Sequence, residues 1–260
     1  KGFAGKPLVG IELYRVPLTA ETARQIGRLK IVNLQMNWCL ASSREAQHVS
    51  HIPTLEHLDL SHNRVQELNV RSPKLRSLVL SFNPLERLGI PNDNVLEKLD
   101  AEQCGIPLHF FHGCRFRRLT SLNISYNNML VLTQTKEDRK TQFGPKEFAS
   151  VFPALTSLNL RGNRFDRQSL EFLQGAKGLS WLDLRDNPKL SDLRPLVGLD
   201  SLQCLYVDSR VFGDVDRAVE ILKKLPALKE VSVGDVDVPS VKKIASALKQ
   251  IRFNQASADL

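Results

Sequence analysis

Apolar positions recur along this chain in one arrangement. In LTSLNISYNNM, residues 119–129, apolar side chains hold the first, fourth, sixth and eleventh places and an asparagine holds the ninth. The alternation Leu122, Asn123, Ile124, Ser125 is that of a half-buried strand. The same template, L-x-x-L-x-L-x-x-N-x-L, starts again at Leu29, Leu55, Leu75, Leu96, Leu155 and Leu179, with looser copies at Leu8, Leu202 and Leu228. The ten copies follow one another at steps of 20 to 26 residues, with one longer step from Leu119 to Leu155. Each copy predicts a short parallel strand over positions 3 to 7 and a return segment. A single coil cannot bury its apolar side alone, so successive coils must stack and share one core.

This pattern resembles the leucine-rich repeat family over nearly the whole chain. The resemblance implies an α/β solenoid, a horseshoe of about ten coils. Its concave parallel sheet would be backed by a variable helical or irregular convex side, all in one domain spanning 1–260. Where the backbone turns inward after each strand, its polar groups need partners in a dry interior. A side-chain amide offers both a donor and an acceptor there. That accounts for a column of Asn37, Asn63, Asn83, Asn127, Asn163 and Asn187, with Cys104 in the same place. In the family such a column bonds the loop backbones of adjacent coils. Val16, Arg210 and Val236 break it, so the terminal coils are expected to turn differently.

The return segments vary. Residues 19–28, 167–174 and 215–224 predict helices that begin at Thr19, Asp166 and Asp214. Ser240 opens an amphipathic stretch with Val241, Ile244, Leu248 and Ile251 on one face, read as a capping helix over 240–252 that lids the last coil. The long step holds an insertion, 133–148, charged in its middle and carrying Gly144-Pro145, read as a projecting loop followed by a short helix. Seven residues before Leu8 are too few to cover the first coil, which predicts a fragment of a larger protein.

Charge separates the faces. The chain has a formal net charge of +8 and a pI near 9.4. Positions 2, 3, 5, 7 and 8, which the fold would turn to the concave face or its rim, hold seven basic residues against eleven acidic ones, a net of −4. The excess positive charge therefore falls on the convex side, the flanks and the insertion. That disfavours nucleic acid in the groove, where phosphate contacts would dominate, and suits a basic protein partner. Position 8 reads Met36, His62, Phe82, Gln103 and Tyr126 over five successive coils, and Trp181 joins the same face at position 3. Side chains of this kind anchor protein interfaces. With the charged neighbours Asp59, Asp100, Arg161 and Arg185 they form the candidate protein-binding surface.

Chemistry elsewhere is sparse. There is no phosphate-binding glycine loop, nucleophile elbow or HExxH. His48 and His51 have a spacing that could seed a metal site, but no cysteine joins them. No apolar run has the roughly 20 residues of a membrane helix. Four scattered cysteines without a CxxC pair favour a reducing, intracellular compartment, cytoplasmic or nuclear. The sequon at Asn123 falls on the concave strand, where a glycan would cover the binding face, and is read as an accident of the repeat. The expected function is therefore non-enzymatic, with no cofactor, metal or small-molecule substrate. The protein-binding module would act as an adaptor, a regulatory subunit or a recognition domain. A receptor ectodomain, or a nucleic-acid or acidic-membrane contact through a basic convex surface, stands as the alternative.

Overall fold

The computed structural model describes residues 9–127, 143–234 and 236–255. Its core is one sheet of eleven parallel strands in sequence order, interrupted only where two short strands leave for a second sheet. The main sheet runs β1 (Gly10–Tyr14), β2 (Asn33–Asn37), β3 (His57–Asp59), β5 (Ser77–Val79), β7 (Lys98–Asp100) and β8 (Ser121–Asn123). It continues through β9 (Ser157–Asn159), β10 (Trp181–Asp183), β11 (Cys204–Val207), β12 (Glu230–Val233) and β13 (Arg252–Gln255). On the return side, β4 (Glu67–Asn69) pairs with β6 (Arg87–Gly89). The coils that begin at Leu55 and Leu75 are the shortest, and they close with these extended segments instead of helices.

Register follows the template. Leu34, Leu58, Leu78, Leu99, Leu122, Leu158, Leu182 and Leu205 stand opposite one another across the sheet. This row is buried, as is the position-6 row, and burying each such side chain contributes roughly 1.5–3 kcal/mol. One coil departs from the sequence reading. Leu34 pairs with Leu58, so the second copy starts at Ile31 and not at Leu29. The two-residue slip keeps every side chain on its face, because strand side chains alternate with period two. It nevertheless moves Met36 to the position-6 row, where it is fully buried, and puts Trp38 at position 8 and Cys39 in the polar column.

That column joins the coils. Asn63 Nδ2 donates to the carbonyls of Met36 (2.5 Å) and Leu60 (2.8 Å), while its Oδ1 accepts from the N–H groups of Cys39 and Ala41 (both 3.0 Å). Asn83, Asn127, Asn163 and Asn187 repeat this bridge to the preceding coil. Cys39 and Cys104 supply only the donor, to Leu13 O (3.4 Å) and Leu80 O (3.1 Å). In both places the cysteine's own carbonyl accepts an N–H of the preceding coil, from Leu18 and Leu85, in place of the missing amide oxygen. Among the described residues no buried side-chain nitrogen or oxygen lacks a hydrogen bond.

The return side carries α1 (Ala20–Ile26), α2 (Ser43–Val49), α3 (Pro145–Val151), α4 (Val215–Lys223) and α5 (Pro239–Ala247). Thr19 and Asp214 cap α1 and α4 as their sequences predict. Ser42 and Glu45 form a capping box on α2 that the pattern reading passed over. Asp166 does accept the Ser169 N–H, but the segment after it, Gln168–Gly175, is a tighter 3-10 helix. Gly175 approaches so closely that a Cβ would stand 2.0 Å from the Pro145 carbonyl. The C-terminal helix is shorter than 240–252. It ends at Ala247, its N-terminus rests on Pro239 without a side-chain cap, and Arg252–Gln255 continue as β13 beside β12. The helix is thus the return segment of the tenth coil, and β13 opens an eleventh. Of the insertion, residues 133–142 lie outside the described residues. Its end is rooted by Phe143 and Phe148, which pack with Phe111, Phe116, Phe152 and Phe172 into an aromatic cluster.

Replacing Asn83 by Ala strands the Val65 N–H in the core and removes one of the donors to each of the Leu60 and Leu80 carbonyls. The expected loss of unfolding free energy in urea is about 2–3 kcal/mol. Asn83→Cys is expected to lose distinctly less, because two coils already turn with a cysteine. Equal losses would show that the donor to the preceding coil contributes little.

Candidate protein-binding surface

The end of each strand builds the surface. Position 8 sits in the left-handed region in eight successive coils: Arg15 (φ 56°), Trp38 (58°), His62 (55°), Phe82 (59°), Gln103 (49°), Tyr126 (54°), Gly162 (66°) and Asp186 (57°). Such a conformation costs a non-glycine residue roughly 1–2 kcal/mol. It is held by a repeated bond in which the position-8 N–H donates to the position-7 carbonyl of the next coil. Examples are His62 N to Ser81 O (2.9 Å), Phe82 N to Glu102 O (2.8 Å) and Tyr126 N to Arg161 O (2.7 Å). With the backbone set this way, position-8 side chains line up along the strand-exit edge at the pitch of the sheet, about 4.8 Å.

Aromatic side chains at that pitch stack. Trp38 and His62 lie 4.2 Å apart and His62 and Phe82 4.1 Å apart, both with planes 10° from parallel. The Arg15 guanidinium stands 5.8 Å from the Trp38 ring and 5.1 Å from Tyr14. Trp38 is 45% exposed. Gln103 is exposed and interrupts the row. Beyond it the Tyr126 ring lies against Gly162, where a Cβ would come within 2.1 Å of the ring. Its hydroxyl donates to Asp186 Oδ2 (3.1 Å), which also accepts from Arg161 Nε (2.7 Å). Partial burial alone would raise the Asp186 carboxyl, but the hydrogen bonds from Arg161 and Tyr126 outweigh it and hold the group below its ordinary value.

The other predicted residues divide by role. Met36 is core and leaves the surface. Arg185 is buried and gripped by Asp183 through Nε (3.1 and 3.0 Å) and Nη2 (2.6 Å). Asp59 and Asp100 accept the N–H groups of Ser61 (2.8 Å) and Glu102 (3.1 Å), two residues ahead. Asn123, Asn159 and Asp183 do the same for Ser125, Arg161 and Arg185. This position-5 column caps strand ends, so three of its four acids, Asp59, Asp100 and Asp183, are structural. Asn123 Nδ2 also donates to Asp100 (3.1 Å) and Glu102 (3.2 Å), a pairing that a glycan on that nitrogen would break. Trp181 is half-buried, 5.2 Å from Tyr206, whose ring is also 5.1 Å from the Arg185 guanidinium. The structure therefore resolves a Trp38–His62–Phe82 ladder and a separate Trp181–Tyr206 pair. Trp38 was hidden by the slipped register, and Tyr206 stands at position 5, a column the sequence reading inspected for charge alone.

With the register corrected, Lys30 leaves the concave set, and its charge becomes 6 − 11 = −5. Between the first strands lies an open trough of about 610 Å³ floored by Gln35, Asn33 and Ser77, with Glu12 and Asp59 as its acids. All four cysteines are free thiols, and burial raises each of them, Cys104 to about 11, away from nucleophilic use. Among the described residues no group of three or more His, Cys, Asp or Glu could hold a metal ion.

A family model described as Leucine Rich repeat matches residues 51–67, the third coil. Solved structures match almost the whole chain at low identity. The crystal structure of a TLR13–ssRNA13 complex superposes with a TM-score of 0.60 and 18% identity over 98% of this chain and 36% of that one. Human 5T4 (Wnt-activated inhibitory factor 1, Trophoblast glycoprotein) gives 0.54 and 17% over 97% and 90%. A leucine-rich repeat protein of Leptospira interrogans gives 0.51 and 19% over 92% and 69%. No curated protein matches the chain. The repeats, the sheet and these likenesses define the class of scaffold: a solenoid of stacked coils around one parallel sheet. The chain has the fold of a leucine-rich repeat solenoid, and it spans 36% of the TLR13 chain.

Gly162→Ala is expected to push the Tyr126 ring aside and to lower stability by about 1–2 kcal/mol, because the new residue keeps a left-handed backbone. An unchanged melting temperature would contradict the packing of that ring. The Asp186 carboxyl is depressed in the fold, so its stabilisation is complete above its unfolded value near pH 4 and fades as pH falls through the lower folded value. Asp186→Asn is therefore expected to flatten the loss of stability below about pH 4 while lowering stability at neutral pH, as denaturant titrations across that range would report.

Proposed function

We propose that this protein is a non-catalytic recognition module that grips a protein partner along its strand-exit edge, acting as an adaptor, a regulatory subunit or the recognition part of a larger assembly. The observation that carries the reading is the Trp38–His62–Phe82 ladder. Three partly exposed rings are already fixed by backbone and by one another, so little side-chain freedom is lost on binding. Burying such anchors is where interface energy concentrates. Beside the ladder, Glu12 and Asp59 in the trough favour a partner that presents basic side chains.

The fold alone leaves the class of ligand open. One solved structure of similar fold is a complex of TLR13 with ssRNA13, and another, at TM-score 0.54 and 15% identity, is the Drosophila Toll–Spatzle complex. Bases need free aromatic faces to stack upon. Here the faces of His62 are covered by Trp38 and Phe82, and the Tyr126 ring lies on Gly162. Ring edges and the acidic trough suit a polypeptide better. The free thiols, two of them donors in the polar column, fit a reducing compartment, and an intracellular location is part of the proposal.

The test is affinity capture from native extract with wild type and with Trp38→Glu/Phe82→Glu. Both side chains lie on the surface edge, so the unfolding midpoint is expected to stay within a few degrees. Partners held through the ladder are expected to be lost, each ring contributing about 2 kcal/mol or more. Identical captured proteins from both, with the fold intact, would remove the ladder from the interface.

A further inference from the structure

Because every strand of the main sheet is parallel, the loops that lead into the strands all lie on the edge opposite the ladder. The six residues before each of β2, β3, β5, β7 to β13 hold twelve Lys and Arg and four Asp and Glu, a net of 12 − 4 = +8. The whole chain is also +8, so the remaining residues sum to zero. All twelve basic side chains are exposed, whereas two of the four acids, Glu56 and Glu97, are half-buried and paired with Arg76. The charge is grouped on alternate coils. Loop 71–76 carries Arg71, Lys74 and Arg76, loop 115–120 carries Arg115, Arg117 and Arg118, and the loop between them is acidic. Two strands separate the groups, a distance of about 10 Å.

We propose that this strand-entry edge is a peripheral docking strip for an anionic lipid bilayer. The sequence reading placed the excess positive charge broadly on convex side, flanks and insertion; the structure concentrates it on one edge. Three features favour a membrane over a nucleic acid. The phenylalanines of these loops, Phe116 and Phe152, are buried, and the one exposed ring, His51, stands alone, so no row of rings exists on which successive bases could stack. The loops are turns, four of them with an exposed proline, and the two clefts between loops 71–76, 92–97 and 115–120, of about 250 and 380 Å³, each carry the acidic Asp93, which opposes a phosphate. Charge arrives in separated groups, and a fluid bilayer can move anionic headgroups to each group, whereas a polymer's phosphates come at a fixed spacing. Leu29, 39% exposed among Arg28 and Lys30, adds an apolar contact at the interface. A basic residue near such a surface strengthens binding several-fold, and the strip would act by summation within a Debye length.

Co-sedimentation with vesicles of phosphatidylcholine, with or without about 30% phosphatidylserine, tests the strip. Binding is expected to the anionic vesicles only, and to fall steeply between about 0.1 and 0.5 M salt. Arg115→Glu/Arg117→Glu/Arg118→Glu should weaken it by about tenfold or more. A control of equal charge change on other surfaces, Arg44→Glu/Arg164→Glu/Lys243→Glu, should weaken it far less. Both triple variants change only exposed side chains, and a retained thermal transition confirms folding. The proposal is overturned by equal binding to neutral vesicles, by no binding to anionic ones at the lower salt, or by equal loss in the control. Binding to duplex DNA or RNA at least as tight as to the anionic vesicles overturns it too. None of these outcomes bears on the ladder, which lies on the other edge.

Discussion

Each coil of this protein turns its backbone into the core just after a strand, and that turn is possible only because one side chain per coil pairs the groups it would strand. An unpaired buried N–H or carbonyl costs on the order of 1–3 kcal/mol. The amide at the ninth place pairs three or four of them at once, across two coils. The bond is therefore not local reinforcement. It ties the conformation of one coil to the presence of the next, which is how a stack of units too small to fold alone becomes cooperative. The left-handed backbone at position 8 accompanies the amide or its cysteine substitute in seven of the eight coils that show it. Seven non-glycine residues hold that conformation in eight successive coils, and only His62 and Asp186 are of types that visit it readily. Arginine, tryptophan, histidine, phenylalanine, glutamine, tyrosine and aspartate share only their place beside the column.

The exceptions mark where the constraint loosens. Cysteine replaces the amide in two coils, and in each the backbone carbonyl takes over as acceptor. The first coil turns like the others at Arg15 although Val16 holds the column's place, and there the Arg15 N–H donates to the Asn37 carbonyl of the next coil (3.0 Å). The real change comes at Ser209–Phe212, a 3-10 turn where Arg210 replaces the amide. From there the strands lengthen to four residues and α4 and α5 form the return side. With the column goes the left-handed turn, and with the turn goes the regular edge. The ladder is thus confined to the part of the solenoid where the amide or its cysteine substitute operates.

Much of this was legible in the sequence, and the parts that were not share a cause. Spacing of leucines identified the coils because burial repeats with the coil, and Asn63, Asn83, Asn127, Asn163 and Asn187 stood out because few residues can serve their place. The second coil was misregistered because Leu29 and Ile31 differ by two residues, a shift to which alternation is blind. Asn37, which imitates the column amide, instead donates to Ser61 Oγ (2.6 Å). That slip carried Met36 onto the surface on paper and left Trp38 unnoticed. β13 was missed because RFNQ has too few apolar residues to register as a copy, and it forms only because β12 offers a free edge. The acids at position 5 read as a binding surface because capping a strand end and facing a partner call for the same residues.

A parallel solenoid also separates its two edges chemically. Strand entries and strand exits never mix, and each edge samples a different place in the repeat. Substitutions at position 8 alter one edge and leave the loops before the strands untouched. The apolar rows between them, Leu34 to Leu205 and Met36 to Val233, are shared by both and admit little change. This arrangement lets an aromatic ladder and a strip bearing a charge of +8 exist on one thin scaffold without competing for residues. Mutual attraction between the strip and the acidic concave face is also limited by geometry. Apart from the position-2 residues Glu56, Arg76, Glu97 and Lys229, which belong to both sets, the charges lie at opposite ends of the strand-and-turn unit, and exposed charges separated by a Debye length of about 8–10 Å interact weakly. The strip and the ladder therefore share no residue, which a single mixed surface would not permit.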